Sequence, residues 1–183
     1  MVTMQLTANY EDLVGRALKK LNLSLIGWFE AVLPSKMENY EDWAFRSIHE
    51  IRNERFLVDL DTNNLLSIFI NGWDDVFSAM FNNNRDPKTV AYDLRRVRNK
   101  WAHQAVFTSR EAYRALDDII QFLLFLSSKV PTIREDIHHT TLMLEDVILD
   151  MASHIQAHRT SLPPGTGLDV DGDVQMLGAS DEE

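Results

Sequence analysis

An arginine, an amide and a histidine stand close together at Arg98, Asn99 and His103, within the segment Leu94-Arg95-Arg96-Val97-Arg98-Asn99-Lys100-Trp101-Ala102-His103-Gln104. These are the residue types that RNA cleavage without a metal ion requires. One group must take the proton from the 2′-hydroxyl or give one to the leaving oxygen, and histidine, with an unperturbed pKa of about 6.5, suits that task. Positive charge must also stand where the pentacovalent phosphate develops, and the permanently charged fork of arginine supplies it. Asn99 would orient the phosphate or the histidine by hydrogen bonding. Arg95, Arg96 and Lys100, with Arg114 further on, would hold flanking phosphates in contacts that position RNA without reading its sequence.

The charge around this segment is focused. The 30 residues from Arg85 to Arg114 carry eight Lys/Arg and three Asp/Glu, a balance of +5 in a chain whose total is −10. An acidic chain is a poor indiscriminate binder of nucleic acid, which depends on many phosphate-neutralising cations, so any RNA contact must be local. Spacing adds a constraint: five residues along a straight helix separate Arg98 from His103 by about 140° around the axis and roughly 7.5 Å along it. The two converge on one ligand only if the helix ends or bends between them, or if a second copy of the protein completes the site.

The elements that must position these residues are helical almost throughout. Leu13, Val14, Ala17, Leu18, Leu21, Leu25, Trp28, Phe29 and Val32 repeat at i, i+3, i+4 until Pro34, which predicts a long first helix from Tyr10. A second, less regular helix is expected from about Glu38 to Arg55 on Trp43, Ile48 and Ile51. A third, Asp61 to Phe81, would bury Leu65, Leu66, Phe69, Trp73, Phe77 and Met80. Asp86-Pro87 reads as the N-cap and first residue of a fourth helix, which carries the arginine–histidine segment. Thr108 and Glu111 have the spacing of a capping box and open a fifth, with Tyr113, Leu116, Ile120, Leu123 and Leu124 facing inward. After Pro131 a last helix runs from Ile133 to about His158 on Ile137, Leu144, Val147, Ile148, Met151 and Ile155, and Leu142 and Met143 lie off that stripe. No useful strand alternation, glycine-rich phosphate loop or repeat is present, so the expected class is all-α: a bundle of five to six helices.

Composition sets the remaining bounds. A chain of 183 residues, 45% of them hydrophobic, suffices for one core. The expected organisation is a helical domain over 1–130, an additional helix over 131–158 packed on the bundle or on a partner, and an acidic tail over 159–183. The final 25 residues hold one arginine against six Asp/Glu, the composition of a disordered segment. The absence of cysteine rules out disulfides and thiolate metal sites. No apolar run approaches the roughly 18 residues that span a bilayer, and Met1 to Asn9 lacks a secretion-signal pattern, so a soluble, cytoplasmic protein is expected.

Other constellations carry less. Asp150, His154 and His158 share i, i+4 spacing, but ligands in line along a helix do not easily surround one ion, and a solvated face is expected. Asp169, Asp171 and Asp173 lack the glycine and acidic positions of a calcium loop. No metal or cofactor is expected. Trp43, Phe69, Trp73 and Phe77 have the helical spacing of core residues rather than of base-stacking platforms. Trp101, two residues before His103, is expected to brace the turn or a dimer seam.

The string Arg98-Asn99-Lys100-Trp101-Ala102-His103-Gln104, followed by Phe107-Thr108 and by Ala112-Tyr113-Arg114-Ala115-Leu116-Asp117, resembles the Swt-type branch of the HEPN superfamily, as do Val14-Gly15-Arg16-Ala17-Leu18 and Trp73-Asp74-Asp75-Val76-Phe77. The likeness spans about Tyr10 to Lys129. It implies a helical bundle, usually a homodimer, with a metal-independent ribonuclease site of Arg98, Asn99 and His103 at the dimer interface. Such proteins recur in toxin–antitoxin, antiviral defence and RNA-processing systems. Other members are non-catalytic modules that dimerise or bind RNA or a larger partner, and this is the alternative reading of the chain.

Overall fold

A computed structural model describes residues 9–49 and 56–161. These residues form six α-helices and no strand: α1 (Tyr10–Val32), α2 (Tyr40–Ser47), α3 (Thr62–Asn71), α4 (Asp86–Ala102), α5 (Ser109–Ser127) and α6 (Arg134–Ser161). The chain is therefore all-α, as its apolar spacing predicts. The acidic segment, with Asp169, Asp171 and Asp173, lies outside the described residues, as do Ile51 and Arg55.

Helix α1 is the central spar. Its i, i+3, i+4 series is buried as expected, from Leu13 to Val32, and Asn9 caps its start by accepting from the Asp12 N–H at 3.2 Å. Trp28 and Phe29 enter an aromatic cluster with Phe69, Trp73 and Phe77, in which the Phe69 and Phe77 rings stack at 5.1 Å. Phe69, Trp73 and Phe77 are thus core residues, and Trp43 packs edge-on against Phe77.

Four expected boundaries shift. Helix α2 stops at Ser47, and His49 then takes a left-handed φ of 58°, which a continuing helix does not permit. The third helix does not run unbroken to Phe81: after Gly72 it becomes a wide π turn, Trp73–Phe77, and then a 3₁₀ turn, Ser78–Phe81. The break lies where the Trp43 ring presses on the backbone, since a Cβ at Gly72 would stand 2.5 Å from that indole. Helix α4 begins at Asp86 rather than being capped by it; Asn84 accepts from the Asp86 N–H at 3.0 Å. Helix α6 starts at Arg134, after a 3₁₀ turn over Pro131–Ile133.

On α5 the capping box forms as predicted, with Thr108 accepting from the Glu111 N–H and Glu111 accepting from the Thr108 N–H. The buried stripe is nonetheless Ala112, Ala115, Leu116, Ile119, Phe122, Leu123 and Leu126. Tyr113 and Leu124 stand outside it, 37% and 52% exposed, and Ile120 is half-buried. Two small alanines, which let neighbouring helices approach closely, set the true inner face. Helix α6 packs on α1 and α5. Val147 and Thr140 are buried, Ser24 donates to Asp136 at 2.8 Å, and Tyr10 donates to Asp150. Burial, and then the bond to Asp150, raise the Tyr10 hydroxyl pKa. Ile148 and Ile155, expected on the inner stripe, are exposed instead, together with Leu142 and Leu149. Met143 packs against the core.

Candidate nucleic-acid interface on helix α4

Helix α4 buries Pro87, Ala91 and Leu94, and Arg98 and Trp101 continue that inward line at i+4 and i+7 from Leu94. At about 100° per residue, Arg96, Lys100 and His103 fall within an arc of about 60° on the other side of the helix. The helix thus separates the sequence motif into two faces.

The inward face closes a cleft of about 830 Å³ between α1, α4 and the start of α3, lined among others by Arg98, Trp101, Asp61 and Gly15. Arg98, with a quarter of its side chain exposed, forms an ion pair with Asp61 and donates to the Asn99 side chain at 3.3 Å. Asp61 is itself the N-cap of α3, accepting from the Asn64 N–H at 2.8 Å, so one carboxylate ties the two helix ends together. Arg95 reaches the same helix end and donates to Asn63 at 3.3 Å. Glu11, Asp12, Asp59 and Asp61 outnumber Arg16, Lys19 and Arg98 around the cleft, and that balance does not favour a polyanion.

Trp101 is the brace between α4 and α1. Its Nε1 donates to the Glu11 carbonyl at 3.2 Å, and its ring lies so close to Gly15 that an added Cβ would stand 2.7 Å from that nitrogen. A glycine here serves close approach, since a side chain would meet the rigid indole.

On the outward face, α4 ends in a Schellman arrangement. His103 is the C-cap, Gln104 adopts a left-handed φ of 54° and donates to the Trp101 carbonyl, and the Ala105 N–H returns to the Lys100 carbonyl. The helix ends directly after the motif, yet His103 keeps its helical bond to the Asn99 carbonyl at 3.1 Å. The ending therefore does not swing His103 round to Arg98. His103 is exposed, does not line the Arg98 cleft, and has no side-chain hydrogen bond or ion pair among the described residues.

A second, smaller groove of about 200 Å³ lies between α4 and α5 and is lined by Arg96, Lys100 and Arg114 together with Val97, Phe107, Ala115, Glu111 and Asp118. Three of the four residues expected to hold phosphates meet here; Arg95 is turned toward α3. Lys100 stands 4.9 Å over the Phe107 ring and pairs with Glu111. The bond from Lys100, and then those from Thr108, hold the Glu111 carboxyl down at about 2. Burial pushes the Asp118 carboxyl up to about 6, and the nearby Asp93 and Asp117 add to the effect. Much of the basic island is already matched, since Arg96 also pairs with Asp93 at 2.9 Å and Lys88 with Asp74 at 3.1 Å. The sequence could not show the partners of Arg98 and Lys88, because Asp61 and Asp74 come from outside the island.

Asp150 and His154 stand 3.5 Å apart on α6, where Asp150 also accepts from Tyr10; the His158 side chain lies outside the described ones. No helix among the described residues is long and apolar enough to cross a membrane.

Residues 11–127 match the Swt1-like HEPN family. The chain therefore belongs to the HEPN family, and the matched region ends with α5, so α6 lies beyond it. No curated protein and no solved structure matches the chain.

Proposed function

We propose that this protein is a metal-independent endoribonuclease of HEPN type, working as a homodimer. His103 is the general acid/base, Arg98 stabilises the developing phosphate charge, and Asn99 orients the phosphate. The observation that carries the reading is the state of His103: a solvent-exposed imidazole at the end of α4, without a side-chain partner among the described residues, on the same outward face as Arg96 and Lys100. RNA phosphates lie along that face, with Arg96, Lys100 and Arg114 as positioning contacts and Arg95 at its margin. Arg98 points to the opposite side, so the two halves of the chemistry meet across two copies of the chain, and Arg98 exchanges Asp61 for phosphate when RNA binds. Products end in a 2′,3′-cyclic phosphate or a 3′-phosphate. Residues 1–130 form the catalytic domain, α6 adds a surface for a protein partner through Leu142, Ile148, Leu149 and Ile155, and the acidic segment from 159 competes with RNA for the cations. The setting is a cytoplasmic defence, toxin–antitoxin or RNA-processing system.

One observation favours the alternative of a non-catalytic module that binds RNA or a larger partner: the Arg98 guanidinium is already neutralised by Asp61. Incubation of the purified protein with structured and single-stranded RNA in excess chelator separates the two readings. Cleavage that survives chelation and disappears in both Arg98→Ala and His103→Ala is the expected result. Equal trace cleavage in all three proteins would remove the catalytic reading.

A further inference from the structure

We infer that the groove between α4 and α5 is a nucleotide subsite that takes a guanine base of the bound RNA, with Asp118 reading the base edge and Arg114 holding the adjoining phosphate. The inference rests on the reading of this chain as an RNA-binding protein and adds which nucleotide it selects. Its starting point is the chemistry of the lining. Val97, Phe107 and Ala115 make an apolar floor, and Arg96, Lys100 and Arg114 stand around it. A volume of about 200 Å³ equals that of about seven water molecules, enough for a planar ring system and too little for a folded peptide segment.

Around the groove the three cations Arg96, Lys100 and Arg114 stand against Glu111 and Asp118, and one wall group selects the base. Asp118 is half-buried beside Asp93 and Asp117, with the Arg114 charge near enough to act on it, and its carboxylate has no hydrogen-bond partner among the described residues. Its oxygens are not sealed from solvent and stay open to donors from a ligand. Guanine presents two adjacent ones, N1–H and the exocyclic N2 amino group, which together match both oxygens of a carboxylate. Adenine and cytosine each pair one amino donor with a ring acceptor, which would face the carboxylate unfavourably, and uracil offers only one donor between two carbonyls. Arg114, one turn before Asp118 on α5, is exposed and supplies a planar cation suited to phosphate or to stacking on the base.

The geometry also joins this subsite to the cleavage chemistry. Lys100 belongs to the groove, and His103 follows it by three residues on the same face, about 4.5 Å further along the helix axis. A nucleotide in the groove would therefore place the next phosphodiester toward His103, so that cleavage falls beside a guanosine.

The test uses full-length His103→Ala protein, which binds without cutting, titrated with guanosine, adenosine, cytidine and uridine 5′-monophosphates while the amide signals of Val97, Phe107, Ala115 and Asp118 are followed. The expected result is tightest binding of the guanosine nucleotide, by about tenfold over the others. Asp118→Asn in that background should abolish the preference, and Arg114→Ala should weaken all four nucleotides alike. Equal binding of the four nucleotides, a preference that survives Asp118→Asn, or no perturbation of these amides would each overturn the subsite. The cleavage assay in chelator is independent. Cutting that depends on His103 but shows no preference for guanosine would overturn the subsite and leave the ribonuclease standing. Guanine-selective binding by a protein that cuts nothing would support the subsite and remove the ribonuclease.

Discussion

Alanine at position 15 should be tolerated or even welcome in an ordinary helix, and in this protein it should cost stability. Replacing a glycine by alanine inside a helix gains about 1 kcal/mol of propensity. Against this stands the Trp101 indole, whose nitrogen would lie 2.7 Å, and two carbons 3.0 Å, from the new Cβ. The ring is rigid and must move as a body by several tenths of an ångström or more. That motion breaks its bond to the Glu11 carbonyl, a loss of about 1 kcal/mol. Trp101 keeps 39% of its surface exposed, so displacement uncovers part of the rest. Lifting about 50 Å² of apolar surface costs roughly 1 kcal/mol more. The balance for Gly15→Ala is destabilisation by about 1 kcal/mol, set by the two losses against the one gain. In a Trp101→Ala background the losses vanish, and the same substitution should stabilise by about 1 kcal/mol. The sign reversal amounts to a coupling of about 2 kcal/mol, read from a double-mutant cycle in chemical denaturation. A Gly15→Ala that stabilises equally in both backgrounds would show that the indole does not rest on this glycine. Because Trp101 anchors the last turn of α4, cleavage should fall in Gly15→Ala and Trp101→Ala alike.

Three further outcomes follow from the α4 contacts. Asp61→Asn keeps a competent N-cap for α3 but removes the charge facing Arg98. RNA affinity should rise severalfold, with stability changed by less than about 1 kcal/mol because the pair is partly exposed; unchanged or weaker affinity in a binding assay would mean that Asp61 positions Arg98 rather than restraining it. Asp118 has a folded pKa of about 6, above its ordinary 3.8, so the folded state binds the proton more tightly and stability falls as pH rises from about 4 to 6. Discounted for its exposure, that shift predicts that Asp118→Asn stabilises by about 1 kcal/mol at pH 7 and flattens the pH profile, measured by thermal unfolding across that window. Glu111, held at about 2 chiefly by Lys100, contributes stability that is present above its ordinary pKa and lost as pH falls through the folded value. In Lys100→Ala its carboxyl should titrate closer to the ordinary 4.5 by NMR, and no movement would place the cause in the Thr108 bonds instead.

The legible part of this fold is the part governed by helical period and caps. Helix α1 could be read residue by residue because its large apolar side chains all lie on the buried face, and the Thr108–Glu111 box announced α5 from two residues. On α5, Leu116 and Leu123 lie on the inner face as their spacing predicts, but Ala112 and Ala115, small and easily passed over, complete it, while Tyr113 and Leu124 flank it. The break at Gly72 depends on Trp43, which reaches it from α2, and no local signal near Gly72 shows that. In the candidate site, the separation of Arg98 from His103 followed from five residues of helix. The partner of Arg98 did not, because Asp61 lies 37 residues away and looks in sequence like an ordinary N-cap.

That separation gives α4 its meaning as an element. A helix that points its arginine inward and its histidine outward cannot build one site from one copy, and its Schellman ending turns the chain only after His103 has taken its helical place. The inward arginine is matched by a carboxylate that already serves α3, which keeps the lone chain from offering a full-strength phosphate site. The outward face, by contrast, gathers Arg96, Lys100 and Arg114 around an apolar floor and leaves His103 exposed three residues beyond Lys100. On the proposed reading, the RNA contacts and the acid/base histidine share the outward face, while the arginine that would stabilise the phosphate lies on the other side of the helix. Assembly of two copies is the step that would bring them together, so cleavage should depend on protein concentration more steeply than nucleotide binding does. A cleavage rate per chain that stays constant on dilution through the dimer dissociation range would break the link between the two faces.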